Sequence, residues 1–395
     1  MNVVGYLEAE LGVGEAARQL ISALDARGIP VAPTNRHLPN TRTEHPFAHT
    51  PAPNYGPFAV NLICENAVVM PALAEHMGDG FFTGRYTIGM WFWEVSGFPE
   101  RWDSSFDYLD EVWVASDHVA EAVRARSPIP VTKITLPVVP AGLAQRNRAQ
   151  LGLPDGFCFL FVFDYNSVLE RKNPLGLIEA FRCAFPADTD ASLLLKTTNA
   201  QRNPADSERV RVAAAQHPRI HLMDRFVPAH EKNAMIAACD CYVSLRRSEG
   251  FGLTLAEAMY FDRPVIATEY SGNLDFMTSH NSYLVEHELR PIGPGADPYR
   301  EPAHAAKRAG CLRRGKSRGL PSGRGRLRRR RRGRFGREPA RLRERRAQLD
   351  TQPRRHGHAR AGRGFRGGRL PGRRPRSRHA VRARRSRSGG GTVTR

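Results

Sequence analysis

No apolar run in the 395 residues is long enough to span a bilayer; the best candidate, 58–74, is broken by Asn61, Glu65 and Asn66. A signal peptide is also lacking, since Met1 leads directly into an apolar strand pattern. Both absences point to a cytoplasmic protein, whose membrane contact would be peripheral and at the inner face. Cysteine is scarce and scattered, at Cys64, Cys158, Cys183, Cys239, Cys241 and Cys311. That spacing excludes a disulfide scaffold and reads as buried, reduced thiols. Cys239-x-Cys241 has no second pair to complete a metal site.

A further lack is local: from Glu301 to Arg395 there is no Ile, Met, Tyr, Asn or Trp. The net charge of +21 divides at the same point. Residues 1–300 carry 26 Lys and Arg against 35 Asp and Glu, a formal −9, whereas 301–395 carry 34 against 4, a formal +30. Of those 34 cations, 32 are Arg. Such a segment cannot bury enough apolar surface to offset its ordering entropy, and 301–395 is expected to be a disordered basic tail. Arg runs neutralise phosphates, so nucleic acid is a partner if this tail is native. Only Phe335 and Phe365 could stack on bases. The missing residue types have AT-rich codons, whereas Arg, Gly, Pro and Ala have GC-rich ones. The pattern is that of a GC-rich gene read in the wrong frame from about residue 300.

The preceding body alternates apolar runs with helical patterns, as βα units do. A first strand, Val3–Tyr6, leads through Leu11-Gly12-Val13-Gly14-Glu15 into a helix with Ala16, Ala17, Leu20, Ile21 and Leu24 on one face. Strands are expected at 58–64, 86–92, 111–115 and 131–135, and an exposed loop at 36–56. Pro and Gly between 137 and 156 mark a linker, dividing a first domain, 1–140, from a second, 141–300. Met90-Trp91-Phe92-Trp93-Glu94 ends a strand, and is either a sugar platform with a polar handle or an aromatic core cluster. Ser116 or Asp117 is a natural N-cap for the next helix, which places His118 at its start.

The second domain opens with the strand Phe157–Phe163, then a loop through Ser167, Arg171 and Lys172 to a helix led by Pro174. Two cations before a helix start make an anion site. Asp188-Thr189-Asp190 is formally a D-x-D, but sits in a polar turn and reads as a loop. The densest stretch is 241–277. Its strand, Cys241–Leu245, precedes Ser248-Glu249-Gly250-Phe251-Gly252 and a helix through Leu253, Thr254, Leu255 and Glu257. Glycines before a helix start let backbone N–H groups approach a phosphate. A second strand, Pro264–Thr268, ends in Tyr270-Ser271-Gly272-Asn273. Glu249 and Glu257 can then face one crevice, although a carboxylate in a helix's first turn is stabilising in its own right.

Glu249 and Glu257, separated by seven residues with GFGL between them and AEAM around the second, resemble the E-x7-E signature of retaining glycosyltransferases of family 4. The resemblance implies an α/β fold of the GT-B type, two Rossmann-like domains facing a cleft. It implies transfer of a hexose, with retention, from a nucleotide-diphosphate sugar to a saccharide or lipid-linked saccharide, with no cofactor and no metal. On this basis Lys172 and Glu249 are the catalytic pair. Gly12, Gly14, Ser167, Arg171, Lys172 itself, Gly250, Phe251, Gly252, Leu253, Thr254 and Glu257 line the donor, and Glu94 and His118 lie on the acceptor side. Ser167 stands where the wider family often has Arg, and Arg171 is the candidate replacement for that charge. The family's closing helices should follow Tyr283-Leu284-Val285 and are missing from the Arg-rich stretch. That supports the frame-shift reading and leaves two rivals to the enzyme: a catalytically impaired nucleotide-sugar-binding protein, and a nucleic-acid binder acting through its tail.

Overall fold

Alternation along Phe157–Asp164 sends Phe159, Phe161 and Phe163 to one face and Cys158 and Leu160 to the other, and both sets are buried. A strand covered on both faces belongs inside a parallel sheet with helices on either side. The computed structural model puts it there, describing residues 1–38, 41–47, 56–140, 142–292, 298–299 and 304–307. All of these lie within one compact unit.

The first domain's sheet contains β1 (Asn2–Gly5), β2 (Ala32–Asn35), β3 (Val60–Cys64), β4 (Tyr86–Trp91), β5 (Glu111–Val114) and β6 (Val131–Lys133). Their order is β2-β1-β3-β4-β5-β6, with every neighbouring pair parallel. The second sheet contains β7 (Phe157–Asp164), β8 (Ala191–Thr198), β9 (Ile220–Asp224), β10 (Cys241–Ser244), β11 (Val265–Thr268) and β12 (Tyr283–Val285). It is ordered β12-β11-β10-β7-β8-β9, again all parallel. The helices are α1 (Gly12–Ala26), α2 (Met70–Met77), α3 (Asp79–Phe82), α4 (Asp117–Arg124), α5 (Leu169–Lys172), α6 (Pro174–Ala184), α7 (Pro204–Ala214), α8 (Ala229–Ala238) and α9 (Leu253–Tyr260). None of those described is long and apolar enough to cross a membrane.

Strand order reverses between β1 and β3 in one sheet and between β7 and β10 in the other. Such switch points open a crevice at the carboxyl ends of the strands, where ligands bind. The two carboxyl edges meet. Ser116 caps α4, its Oγ accepting the Val119 N–H, and donates to the Gly250 carbonyl at 2.6 Å. Lys133 pairs with both Asp117 and Asp275. Phe251 is buried among Ala115, Leu136 and other residues of the first domain.

Most strands fall where the apolar runs predicted them. The linker is less loose than its Pro and Gly content suggested, because Leu151 and Leu153 are core residues of the second domain. The loop after β2 is not wholly free, since Arg42 lies over the Phe226 ring, 3.8 Å from its centroid. Cys64, Cys158, Cys239 and Cys241 are buried free thiols, but Cys183 is exposed, contrary to the uniform burial expected. Cys311 lies outside the described residues. Backbone pairing also runs past residue 300, where β13 (Glu288–Pro291) joins β14 (His304–Lys307) antiparallel. The rest of the Arg-rich tail, and with it the question of the closing helices, lies outside the described residues.

Candidate active site

The loops after β7 and β10 flank the second switch point, and hydrogen bonds tie them together. Asn173, held at φ 55 between α5 and α6, donates from Nδ2 to the Leu245 carbonyl at 2.7 Å. The Arg247 N–H donates to the Arg171 carbonyl at 2.8 Å. This brings three cations onto one carboxylate oxygen. Glu249 Oε1 lies 2.9 Å from Arg246 Nη1, 3.3 Å from Lys172 Nζ and 3.4 Å from Arg171 Nη1. Burial favours a neutral Glu249, but the charges of Arg246, Lys172 and Arg171 outweigh it and hold the carboxyl down at about 2. Lys172 moves the other way. Burial first, then the charges of Arg171 and Arg246, push its ammonium down to about 7 despite Glu249. The cluster therefore has more positive charge than its carboxylates offset. The Nε atoms of Arg171 and Arg246 and the Ser248 hydroxyl are buried there without a hydrogen-bond partner. Orphaned buried donors beside excess positive charge suit an anion.

Glu249 is fixed through its backbone. Its N–H donates to Ser271 Oγ at 2.8 Å, and its carbonyl accepts the Gly272 N–H at 2.9 Å. Ser271 holds φ 74, a strained conformation for a residue with a side chain. Gly252, at φ 95, starts α9 in the left-handed region that glycine tolerates best. At Gly250 a Cβ would meet the Trp93 carbonyl at 2.9 Å, and at Gly272 it would meet the Gly250 carbonyl at 2.2 Å. Gly272→Ala should therefore force backbone apart behind Glu249. We expect a stability loss of about 1–3 kcal/mol, read from thermal melting. Unchanged melting would show that the loop has slack.

Glu257 does not join this cluster in the described contacts. It is buried in α9 and accepts a short hydrogen bond from Lys232 of α8. Burial raises its pKa and Lys232 opposes that rise. Glu15, at the start of α1, lies close enough to influence both residues electrostatically. Gly14 is needed for contact, since a Cβ there would sit 2.4 Å from the Tyr6 carbonyl, whereas Gly12 has open space around it. Ser167 sits in the turn after β7, its N–H bonded to the Asp164 carbonyl, and its hydroxyl makes none of the cluster's described contacts. Asp188 and Asp190 lie in the turn between α6 and β8, as expected.

On the first domain, Glu94 and His118 do come together. The His118 ring Nε2 lies 3.0 Å from the Glu94 carbonyl, and burial lowers its pKa. Glu94 Oε1 lies 3.6 Å from Arg171 Nη2, so the Glu94 carboxylate adjoins the cation cluster. Of the two readings left open for the aromatic run, Trp91 and Trp93 both join the aromatic core, Trp91 stacked on Phe98 at 5.7 Å. Three residues of the site were not singled out from sequence. Arg246 stands three positions before Glu249, and that spacing was the available signal. Lys232 and Tyr299 carried none, because only the fold brings them in.

Residues 145–290, which include the whole cation cluster, match the family described as Glycosyl transferases group 1. Trehalose synthase from Rubrobacter xylanophilus is 24% identical over 236 residues, covering 55% of this chain and 55% of that enzyme. The chain thus spans about half the length of that curated relative. Sucrose-phosphate synthase from Thermosynechococcus elongatus superposes with a TM-score of 0.54 at 18% identity, over 72% of this chain and 86% of that one. Anabaena HepE, solved with UDP and glucose, gives 0.51 at 15% identity over the same shares. The fold is GT-B: two Rossmann-like α/β domains facing a cleft.

Proposed function

We propose that this chain is a retaining, metal-independent glycosyltransferase that moves a hexose from a nucleotide-diphosphate sugar to a saccharide or lipid-linked saccharide. The observation that carries the reading is the buried meeting of Arg171, Lys172 and Arg246 on Glu249 at the switch point of the second sheet. A leaving diphosphate develops negative charge, and preorganised cations with the N–H groups of Gly252–Thr254 would stabilise it. The family match over 145–290 supports this use of the domain, as does the UDP in the HepE structure. Glu249 would contact the transferred sugar near its reacting carbon. Glu257, braced by Lys232, would hold ribose hydroxyls, and Gly12 and Gly14 would line the donor from the first domain. The acceptor would enter past Glu94.

The full chain should be assayed against UDP- and GDP-sugars with several saccharide acceptors, assigning the product anomer by NMR. Retention of the donor's anomeric configuration is expected. An inverted product would overturn the mechanism, and binding without turnover would leave a nucleotide-sugar-binding protein. Failure to bind any nucleotide would overturn the function.

A further inference from the structure

A cavity of about 180 Å³ adjoins the cation cluster, walled by Trp93, Phe98, Trp102 and Tyr299, with Asn66 and Glu94 among its polar members. That volume has room for one small ring. Pro298 and Tyr299 come from the second half of the chain, whereas the other lining residues belong to the first domain. Tyr299 is 6% exposed. Its ring centroid lies 5.2 Å from that of Trp93, and its hydroxyl donates to Glu94 Oε2 at 2.9 Å. The Arg171 guanidinium carbon lies 5.9 Å from the same ring, and Arg101 Nη2 donates to the Pro298 carbonyl at 2.5 Å. Tyr299 thus stands between an aromatic cavity and the cluster read above as the diphosphate site.

A buried tyrosine hydroxyl needs a partner, and the one Tyr299 takes is a carboxylate that is itself partly exposed. Glu94 keeps 24% of its side chain exposed, and its Oε1, 3.6 Å from Arg171, is beyond good hydrogen-bond distance and can accept from a ligand hydroxyl. Aromatic walls with one carboxylate suit a saccharide, whose C–H face packs on rings while its hydroxyls seek acceptors.

We propose that Tyr299 is the specificity-determining residue of an acceptor subsite in this cavity. One saccharide ring packs against the Trp93 and Trp102 wall and donates a hydroxyl to Glu94, and Tyr299 sets how far that ring advances toward Arg171. The inference rests on the glycosyl-transfer reading for calling the ring an acceptor. Its test does not need turnover.

Trp93 and Trp102 report on the cavity by fluorescence. The full chain is titrated with methyl glycosides of glucose, galactose, mannose and N-acetylglucosamine, alongside Tyr299→Phe and Tyr299→Ala, with circular dichroism to confirm folding. At least one glycoside should perturb the wild-type emission. Its affinity should fall tenfold or more in Tyr299→Ala, which loses the wall, and about threefold in Tyr299→Phe, which loses only the brace on Glu94. If Tyr299→Ala does not fold, the Tyr299→Phe result decides. No response from the wild type, or equal affinity in the folded variants, overturns the proposal. Wild-type UDP and GDP binding is measured separately by calorimetry. Nucleotide binding without a glycoside response sinks this subsite and spares the donor reading. A Tyr299-dependent glycoside response without nucleotide binding does the reverse.

Discussion

Glu249→Gln should lower kcat on the order of 10²-fold while leaving donor affinity within a few-fold, and should also destabilise the fold. The two effects share a cause. Glutamine preserves volume and a carbonyl acceptor but removes the negative charge on which Arg246, Lys172 and Arg171 converge. Leaving buried cations unpaired costs about 3 kcal/mol, visible as a lower melting temperature. Nucleotide affinity changes little because Lys172, Arg171 and Arg246 remain to meet the diphosphate, so saturating UDP should raise the melting temperatures of variant and wild type by similar amounts. Kinetic and calorimetric titration of the same variant checks both parts. Normal turnover with a large loss of donor affinity would make Glu249 a binding residue.

Lys172→Ala should weaken donor binding by about 1.5–3 kcal/mol, the contribution of one charge-assisted contact. The wild type should show a matching pH dependence. Burial and the neighbouring Arg171 and Arg246 bring Lys172 down to about 7 in the free chain. A diphosphate beside it favours the ammonium form and raises that pKa, so binding takes up a proton. Affinity should be greatest below pH 7 and fall, by up to tenfold per unit, as pH rises through 7 toward the pKa of the bound state. Calorimetry with UDP at pH 7 in Tris and in PIPES should differ by the buffer enthalpy of roughly half a proton. Lys172→Ala should abolish that difference. Identical heats for the wild type would remove Lys172 from the site.

Much of this architecture was legible in the chain because βα alternation writes itself in apolar runs. The strands Phe157–Asp164 and Cys241–Ser244 and the helix behind Gly252 stood out in this way. Lys172 and Glu249 are paired through the family resemblance, and the fold brings the end of α5 and the loop after β10 together. Contacts between elements distant in sequence left no local trace. Nothing in the spacing tells that Lys232 will meet Glu257, that Ser116 will bond Gly250, or that Tyr299 will reach Glu94 some 205 residues away. The tryptophans of β4 and its end were ambiguous for a related reason. An aromatic run at a strand end serves a core or a binding wall equally well, and here Trp91 and Trp93 are both buried core residues that also line the cavity.

The most direct test is a crystal structure of the full chain with UDP or GDP. The diphosphate should lie against Lys172 Nζ and the Arg171 and Arg246 guanidiniums, with its oxygens facing the N–H groups at the start of α9. A nucleotide seated away from these residues, or none bound at millimolar concentration, would contradict the account.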